Sequence, residues 1–395
     1  MQFTVKHEAL PSQVTETLRI SSIDILRGLI MVIMALDHVR EFWSITPYRA
    51  EDVSQTSVIL FFTRWITHFC APVFVFLSGI SVFLYSRRHS RKEVSIFLLT
   101  RGLWLILLEI FVIGFVMQWG YHMILLIVFW MFGWSMILLA GVIWLPRWCI
   151  AAIAVLILAG HNLLPGNYAV TAANFLPALL YHAPFFMPLG NLPPLLAAYT
   201  ILPWFALMTS GYLIGKWFND PVGRLNTKLV IAGVCLLALF LLLRGTNLYG
   251  DPSPWSVQPR GGVYTFLSFL NVTKSPPSLL FMCVTIGGAF LLLAFFNKHN
   301  SKITTWLQAF GAVPFFFFLL HLILISGGAF FWTLVRYNKA TNFAFSSVAD
   351  WPQGYEPSLT RAYVVWIVLI ILLYFPCKWF SSYRKHHKQW WLSYL

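Results

Sequence analysis

One apolar run carries more chemistry than any other part of the chain: SSIDILRGLIMVIMALDHVREFW, residues 21–43. It sets Asp24, Arg27, Asp37, His38 and Glu41 among aliphatic residues. On a helix at 100° per residue with Asp24 at 0°, His38 falls at about −40°, Arg27 at −60°, Glu41 at −100° and Asp37 at −140°. These groups share one broad face. Asp24 and Arg27 are i,i+3 neighbours placed to pair. His38 stands about 16 Å further along the axis from Arg27, at 1.5 Å per residue. An ion pair at one end and an imidazole toward the other suit a helix that lines a route between two faces, with the imidazole as proton acceptor. A purely structural reading is equally open, in which the pair locks the helix and His38 is a satisfied interfacial histidine. Asp37 is turned away from the His38 stripe and is suited to orient a donor from another helix.

Other ionisable groups interrupt apolar runs. Arg64 and His68 in FFTRWITHFCAP are i,i+4 neighbours, so they share a face that can meet an anion or oxyanion. Arg64 can also snorkel to the interface. His321 lies mid-run in GAVPFFFFLLHLILISGG, and Glu109 in WLILLEIFVIG must find a partner or a proton. Gly211 and Gly215 form a GxxxG pair, which indicates close helix packing.

These groups stand out because so little else is charged. Of 395 residues, 59% are hydrophobic and 10% charged, against about 25% charged in soluble domains. A soluble globular enzyme is excluded, and so is a disordered chain. The net charge of +14 does not indicate nucleic acid, because the bases sit in short loops between apolar runs. Five scattered cysteines show neither CxxC nor metal-ligand spacing, so no metal is expected.

The expected fold is an all-α polytopic membrane helix bundle. A bilayer needs about 20 apolar residues per helix, and about ten runs qualify, at roughly 21–43, 58–85, 95–118, 122–144, 149–163, 194–218, 228–244, 278–297, 307–333 and 361–380. Residues 164–194 are apolar but broken by Pro165, Pro177, Pro184, Pro188, Pro193 and Pro194. Repeated prolines favour a re-entrant or interfacial segment there, with an eleventh span as the alternative. Lys and Arg crowd the loops on one side, most densely in RRHSRK at residues 87–92, which places both termini in the cytoplasm. The organisation is then a cytoplasmic segment (1–20), one transmembrane domain (21–380) and a basic, aromatic tail (381–395).

The pattern Arg19-x-x-Ser22-x-Asp24-x-x-Arg27-Gly28, followed by Met34 and Asp37-His38, resembles the heparan-α-glucosaminide N-acetyltransferase catalytic-domain family. The blocks ILPWFALMTSGYLIGKWF (201–218), NVTKSPPSLLFMCVTIG (271–287) and FGAVPFFFFLLHL (310–322) resemble its bacterial branch. The resemblance implies a multi-pass acyltransferase of the bacterial cytoplasmic membrane. It would move an acetyl group from cytoplasmic acetyl-CoA to a sugar or glycan acceptor at the outer face. The implied partners are the lipid bilayer, acyl-CoA and the acceptor; a homodimer is an open alternative. His38 aligns where lysosomal members carry an active-site Asn. Those members use a His in the next loop, and residues 41–63 here contain none. That departure leaves the base to another group, and His38, with His321 and Asp37, forms the candidate catalytic set. Asp24, Arg27, Arg64, His68 and Glu109 are candidates for orientation or for the oxyanion. Arg87, Arg88, Arg91 and Lys92 offer charge for the CoA phosphates, although the same residues satisfy the positive-inside rule. The rival class is a transporter or flippase for a small anion or envelope lipid, built on the same intramembrane His, Asp and Arg groups.

Overall fold

The computed structural model describes residues 21–164, 168–387 and 389; the segment 1–20, residues 165–167, Lys388 and residues 390–395 lie outside the described residues. In chain order the main elements begin with α1 (Ser21–Trp43), α2 (Val58–Ser86), α3 (Arg91–Gln118), β1 (Ile124–Leu126) and α4 (Val128–Val142). Next come α5 (Arg147–Leu163), α6 (Phe175–Tyr181), β2 (Phe185–Leu189), β3 (Leu192–Ala197), α7 (Leu202–Ile214) and α8 (Val222–Thr246). The chain closes with α9 (Gly262–Leu270), α10 (Leu279–Phe296), α11 (Lys302–Gly311), α12 (Pro314–Tyr337) and α13 (Leu359–His386). Among the described residues, six helices are long and apolar enough to cross a bilayer: α2, α3, α8, α10, α12 and α13.

The expected apolar runs fall mainly on helices, but those at 122–144 and 194–218 begin on the strands β1 and β3, and one other is divided. The run expected over 307–333 is cut between α11 and α12, because Pro314 occupies the first turn of α12. Proline has no N–H to donate and its ring crowds the preceding turn, so it is best tolerated in the first turn of a helix. The chain therefore ends α11 at Gly311 and begins α12 afresh.

The central helix is α1, buried along most of its length, with Asp24 in its first turn and Arg40 in its last, where each suits the helix dipole. It packs against α2, α10, α11, α12 and α13. Two glycines permit the closest of these approaches: a Cβ at Gly28 would overlap the Leu307 carbonyl, and one at Gly311 would overlap the Asp24 carbonyl. Gly211 of α7 meets the Phe76 backbone of α2 in the same way, so close packing explains that glycine.

The fold is not purely helical. Residues 185–197 form a hairpin, β2 against β3, which turns at Gly190 (φ 64°). β1 adds in parallel to give the order β1-β3-β2. The register slips between Met187 and Leu189, where Pro188 has no N–H for the ladder. Leu126, Ala178, Leu179, Phe185, Leu195 and Ile201 form a small second core beneath the sheet. Of the prolines of this stretch, Pro177 lies in a short helix and Pro188, Pro193 and Pro194 in a strand pair, while Pro165 is outside the described residues.

Candidate active site

Six helices contribute to the wall of a cavity of about 1190 Å³, which includes Asp24, Arg27, Met34, Asp37 and His38 of α1. Along α2 the lining residues run from Thr67, Cys70 and Ala71 through Phe74 to Ser78, Ser81 and Tyr85. Both helices therefore present polar groups at the two ends of the cavity and apolar ones between.

At the Ser21 end, Arg27 reaches Asp24 (3.1 Å), the Ser81 hydroxyl (3.1 Å) and the Gly311 carbonyl (3.4 Å). The Tyr85 ring stacks on Phe97 at 4.3 Å, and the Arg101 guanidinium lies over Phe97 at 4.6 Å. Arg384 and His387, from the far end of α13, complete this mouth. α13 is anchored at its other end by Arg361, whose Nε donates to the Trp43 carbonyl at 2.7 Å. With Trp366 Nε1 donating to the Val32 carbonyl at 2.8 Å, that contact runs α13 antiparallel to α1 and carries Arg384 toward the Ser21 end.

At the Trp43 end, His38 meets His321 of α12, with His38 Nδ1 and His321 Nε2 2.8 Å apart. His321 Nδ1 lies 3.1 Å from the Phe317 carbonyl. A carbonyl only accepts, so in the neutral pair His321 carries its proton on Nδ1 and presents a bare Nε2. His38 must then donate from Nδ1, which leaves its Nε2 as a lone pair on the edge turned away from His321. His38 lines the cavity and fully buried His321 does not. The rings stack at 5.0 Å, and Phe318 packs edge-on against both.

Asp37, next to His38, belongs to a separate network. It accepts from Arg40 at 3.1 Å and from Arg64 of α2 at 3.2 Å. Arg40 also reaches Glu41 at 3.2 Å, and Arg64 reaches Glu51 at 2.8 Å and Thr67 at 2.9 Å. Burial would raise the Glu51 carboxyl, but the Arg64 guanidinium beside it holds it down at about 2. Arg64 is thus occupied by two carboxylates and is absent from the cavity wall. Its role is to fasten α2 to α1.

The remaining sequence candidates separate by position. Glu109 is fully buried in a π-helical turn of α3 and off the cavity. One of its oxygens accepts the N–H groups of Phe129 (2.6 Å) and Trp130 (3.2 Å), at the start of α4. α4 has no capping side chain of its own, so Glu109 supplies the cap from a neighbouring helix. His68 is buried edge-on against Phe281 and likewise off the cavity wall. Arg87, Arg88 and Lys92 do not line the cavity, and Arg91 lines a separate recess of about 410 Å³ with His89 and Arg147. Among the described residues no cluster of three His, Cys, Asp or Glu groups could hold a metal ion.

Sequence reasoning passed over Lys274, Tyr199, Arg101 and Arg384, all of them cavity-lining. The three cations had entered only as votes on orientation. For Lys274 a signal existed: it lies within NVTKSPPSLLF, one of the blocks on which the family resemblance rests.

A family profile described as heparan-alpha-glucosaminide N-acetyltransferase, catalytic, matches residues 19–248, which include α1 with His38. No curated protein matches the chain.

Proposed function

Since the chain belongs to the heparan-alpha-glucosaminide N-acetyltransferase catalytic family, we propose that it moves an acetyl group from cytoplasmic acetyl-CoA to a sugar or glycan acceptor at the outer face of a bacterial cytoplasmic membrane. One observation carries this reading: a single cavity is lined at one end by Arg27, Arg101 and Arg384 and at the other by His38, whose Nδ1 is taken up by His321. The arginines suit the phosphates of CoA, which guanidinium groups bind well. The apolar middle suits the thin pantetheine arm, and the distance from Arg27 to His38, about 16 Å along α1, is of the order of that arm.

The chemistry follows from the tautomers. An acceptor hydroxyl or amine gives its proton to His38 Nε2 as its oxygen or nitrogen bonds to the thioester carbonyl carbon. The carbonyl electrons move onto oxygen. When the carbonyl reforms, the C–S bond breaks and the CoA thiolate leaves, taking the proton from His38. While His38 is an imidazolium, its Nδ1–H remains donated to His321, which fixes the ring and favours its charged form. His38 is the catalytic residue in this scheme and His321 a positioning one.

The test uses purified protein in proteoliposomes, with radiolabelled acetyl-CoA outside and glucosamine or a panel of envelope glycans inside. Label should reach an acceptor with the wild type and not with His38→Ala at equal protein. The transporter reading draws on the same end-to-end cavity. It would gain if acetyl-CoA neither bound nor was consumed while an anion or lipid crossed the bilayer.

A further inference from the structure

Lys274 is a charge without an evident structural use. It is half-buried and lines the cavity. Its ammonium makes no ion pair or hydrogen bond among the described residues; it lies over the Tyr199 ring, 5.8 Å from the centroid, a loose cation–π contact. Charges withdrawn from water are ordinarily paired, because an unpaired one forfeits its hydration without return. The other cations at this end follow that rule: Arg40 and Arg64 hold Asp37, Glu41 and Glu51. Asp37, the carboxylate next to His38, is already engaged by both arginines.

The segment that carries Lys274 is rigidly held. Asp251 accepts from the Thr273 N–H (2.8 Å), the Thr273 hydroxyl (2.9 Å) and the Ser278 hydroxyl (2.7 Å). The Ser278 N–H returns to the Thr273 carbonyl at 2.9 Å, and Asn162 of α5 accepts from Leu279 N–H at 3.0 Å. Residues on both sides of Lys274 are thus tied to one carboxylate. The same segment meets the His38 end of the cavity, because Asn271 donates to the Glu51 carbonyl at 3.0 Å and Arg64 joins Glu51 to Asp37; a cation held in this way has the properties of a preorganised electrostatic group.

We propose that Lys274 is a further catalytic residue, whose ammonium receives the oxyanion formed at the thioester carbonyl while His38 takes the acceptor proton. This rests on the acetyl-CoA reading above. In the step, the acceptor heteroatom bonds to the carbonyl carbon, its proton moves to His38 Nε2, and the carbonyl π pair becomes the negative charge that Lys274 meets. Return of that pair re-forms the carbonyl and expels the CoA thiolate, and Lys274 ends unchanged.

The test compares two CoA thioethers that cannot react: S-ethyl-CoA, which is neutral, and S-carboxymethyl-CoA, whose carboxylate stands in for the oxyanion. Calorimetry on the full chain in nanodiscs should show wild type binding S-carboxymethyl-CoA at least about tenfold more tightly than S-ethyl-CoA, as a charge-assisted contact predicts. Lys274→Met should erase the preference while leaving S-ethyl-CoA affinity unchanged. If wild type binds the two equally, or Lys274→Met keeps the preference, the Lys274 assignment is overturned and the acetyl-CoA reading stands. If wild type binds neither, the acetyl-CoA reading fails and Lys274 loses its role with it. Should Lys274→Met bind neither, Lys274→Arg decides: a retained preference supports the assignment and a lost one overturns it.

Discussion

Glu109 and His38 are each an ionisable group in the middle of an apolar helix, and by sequence they deserve equal suspicion. Their surroundings separate them. Glu109 sits against the backbone N–H groups of Phe129 and Trp130, away from any cavity. His38 is held from one side by His321 and opens on the other to a space that reaches the opposite end of the bundle. A buried carboxyl with one oxygen given to backbone N–H groups is mending a defect in the fold, here a helix start without its own cap. A polar group anchored by a single bond, with a second valence turned to a cavity, is available to a ligand.

Four measurements would break or sharpen this contrast. The largest effect is expected at His38: replacement by Ala should lower acetyl transfer per folded molecule by about 100- to 10,000-fold, the range for a general base, a loss far beyond what the missing His321 contact costs in stability. His321→Ala comes next. A hydrogen bond to a group that becomes charged contributes about 1.5–3 kcal/mol, so the rate should fall roughly 10- to 100-fold. His321→Asn, whose amide oxygen can accept from His38 Nδ1, should recover part of that loss, and the pH–rate profile should move in both variants. Glu109→Ala should behave oppositely. It leaves two buried N–H groups unpaired, so the detergent-solubilised protein should lose about 1–3 kcal/mol of stability, while the surviving folded enzyme turns over at the wild-type rate. A large rate loss in Glu109→Ala at preserved stability would dissolve the comparison.

The smallest effect concerns Glu51. Its carboxyl is held at about 2 in the fold against an ordinary 4.5. The folded value is depressed, so the stability it contributes is complete above pH 4.5 and is lost as pH falls toward 2. Glu51→Gln should flatten the melting temperature over that acid window and leave it little altered at neutral pH, apart from the loss of the Arg64 contact.

Much of α1 could be read from its residues, because a helical face is a local property: the spacing of Asp24, Arg27 and His38 fixes their common side. The Asp24–Arg27 pair is local for the same reason. The partner of His38 is not, since His321 lies 283 residues away and no spacing rule connects them. Glu109 was visible as an anomaly, but its partners are backbone groups, and every residue has those. The hairpin at 185–197 was hidden by its prolines, which argue against a helix without indicating a strand. β1 adds only three residues to the signal. Lys274 was lost for another reason. Counting loop bases to orient a membrane protein treats all of them as solvent-facing, and this one faces inward.

A passage that reaches both ends of a membrane protein carries a risk for the cell that has nothing to do with catalysis: leakage of protons and ions down their gradients. The stretch between the charged ends answers it. Met34 on α1 and Phe74 on α2 sit between the polar ends of their helices, and Phe129, Phe132, Phe315 and Phe318 add further rings to the wall. An apolar constriction resists filling by water and so blocks hydrated ions. A slender, mostly uncharged arm bearing an acetyl group meets no such barrier. On the proposed reading, these phenylalanines would let an acyl carrier lie along the cavity while disfavouring hydrated ions there.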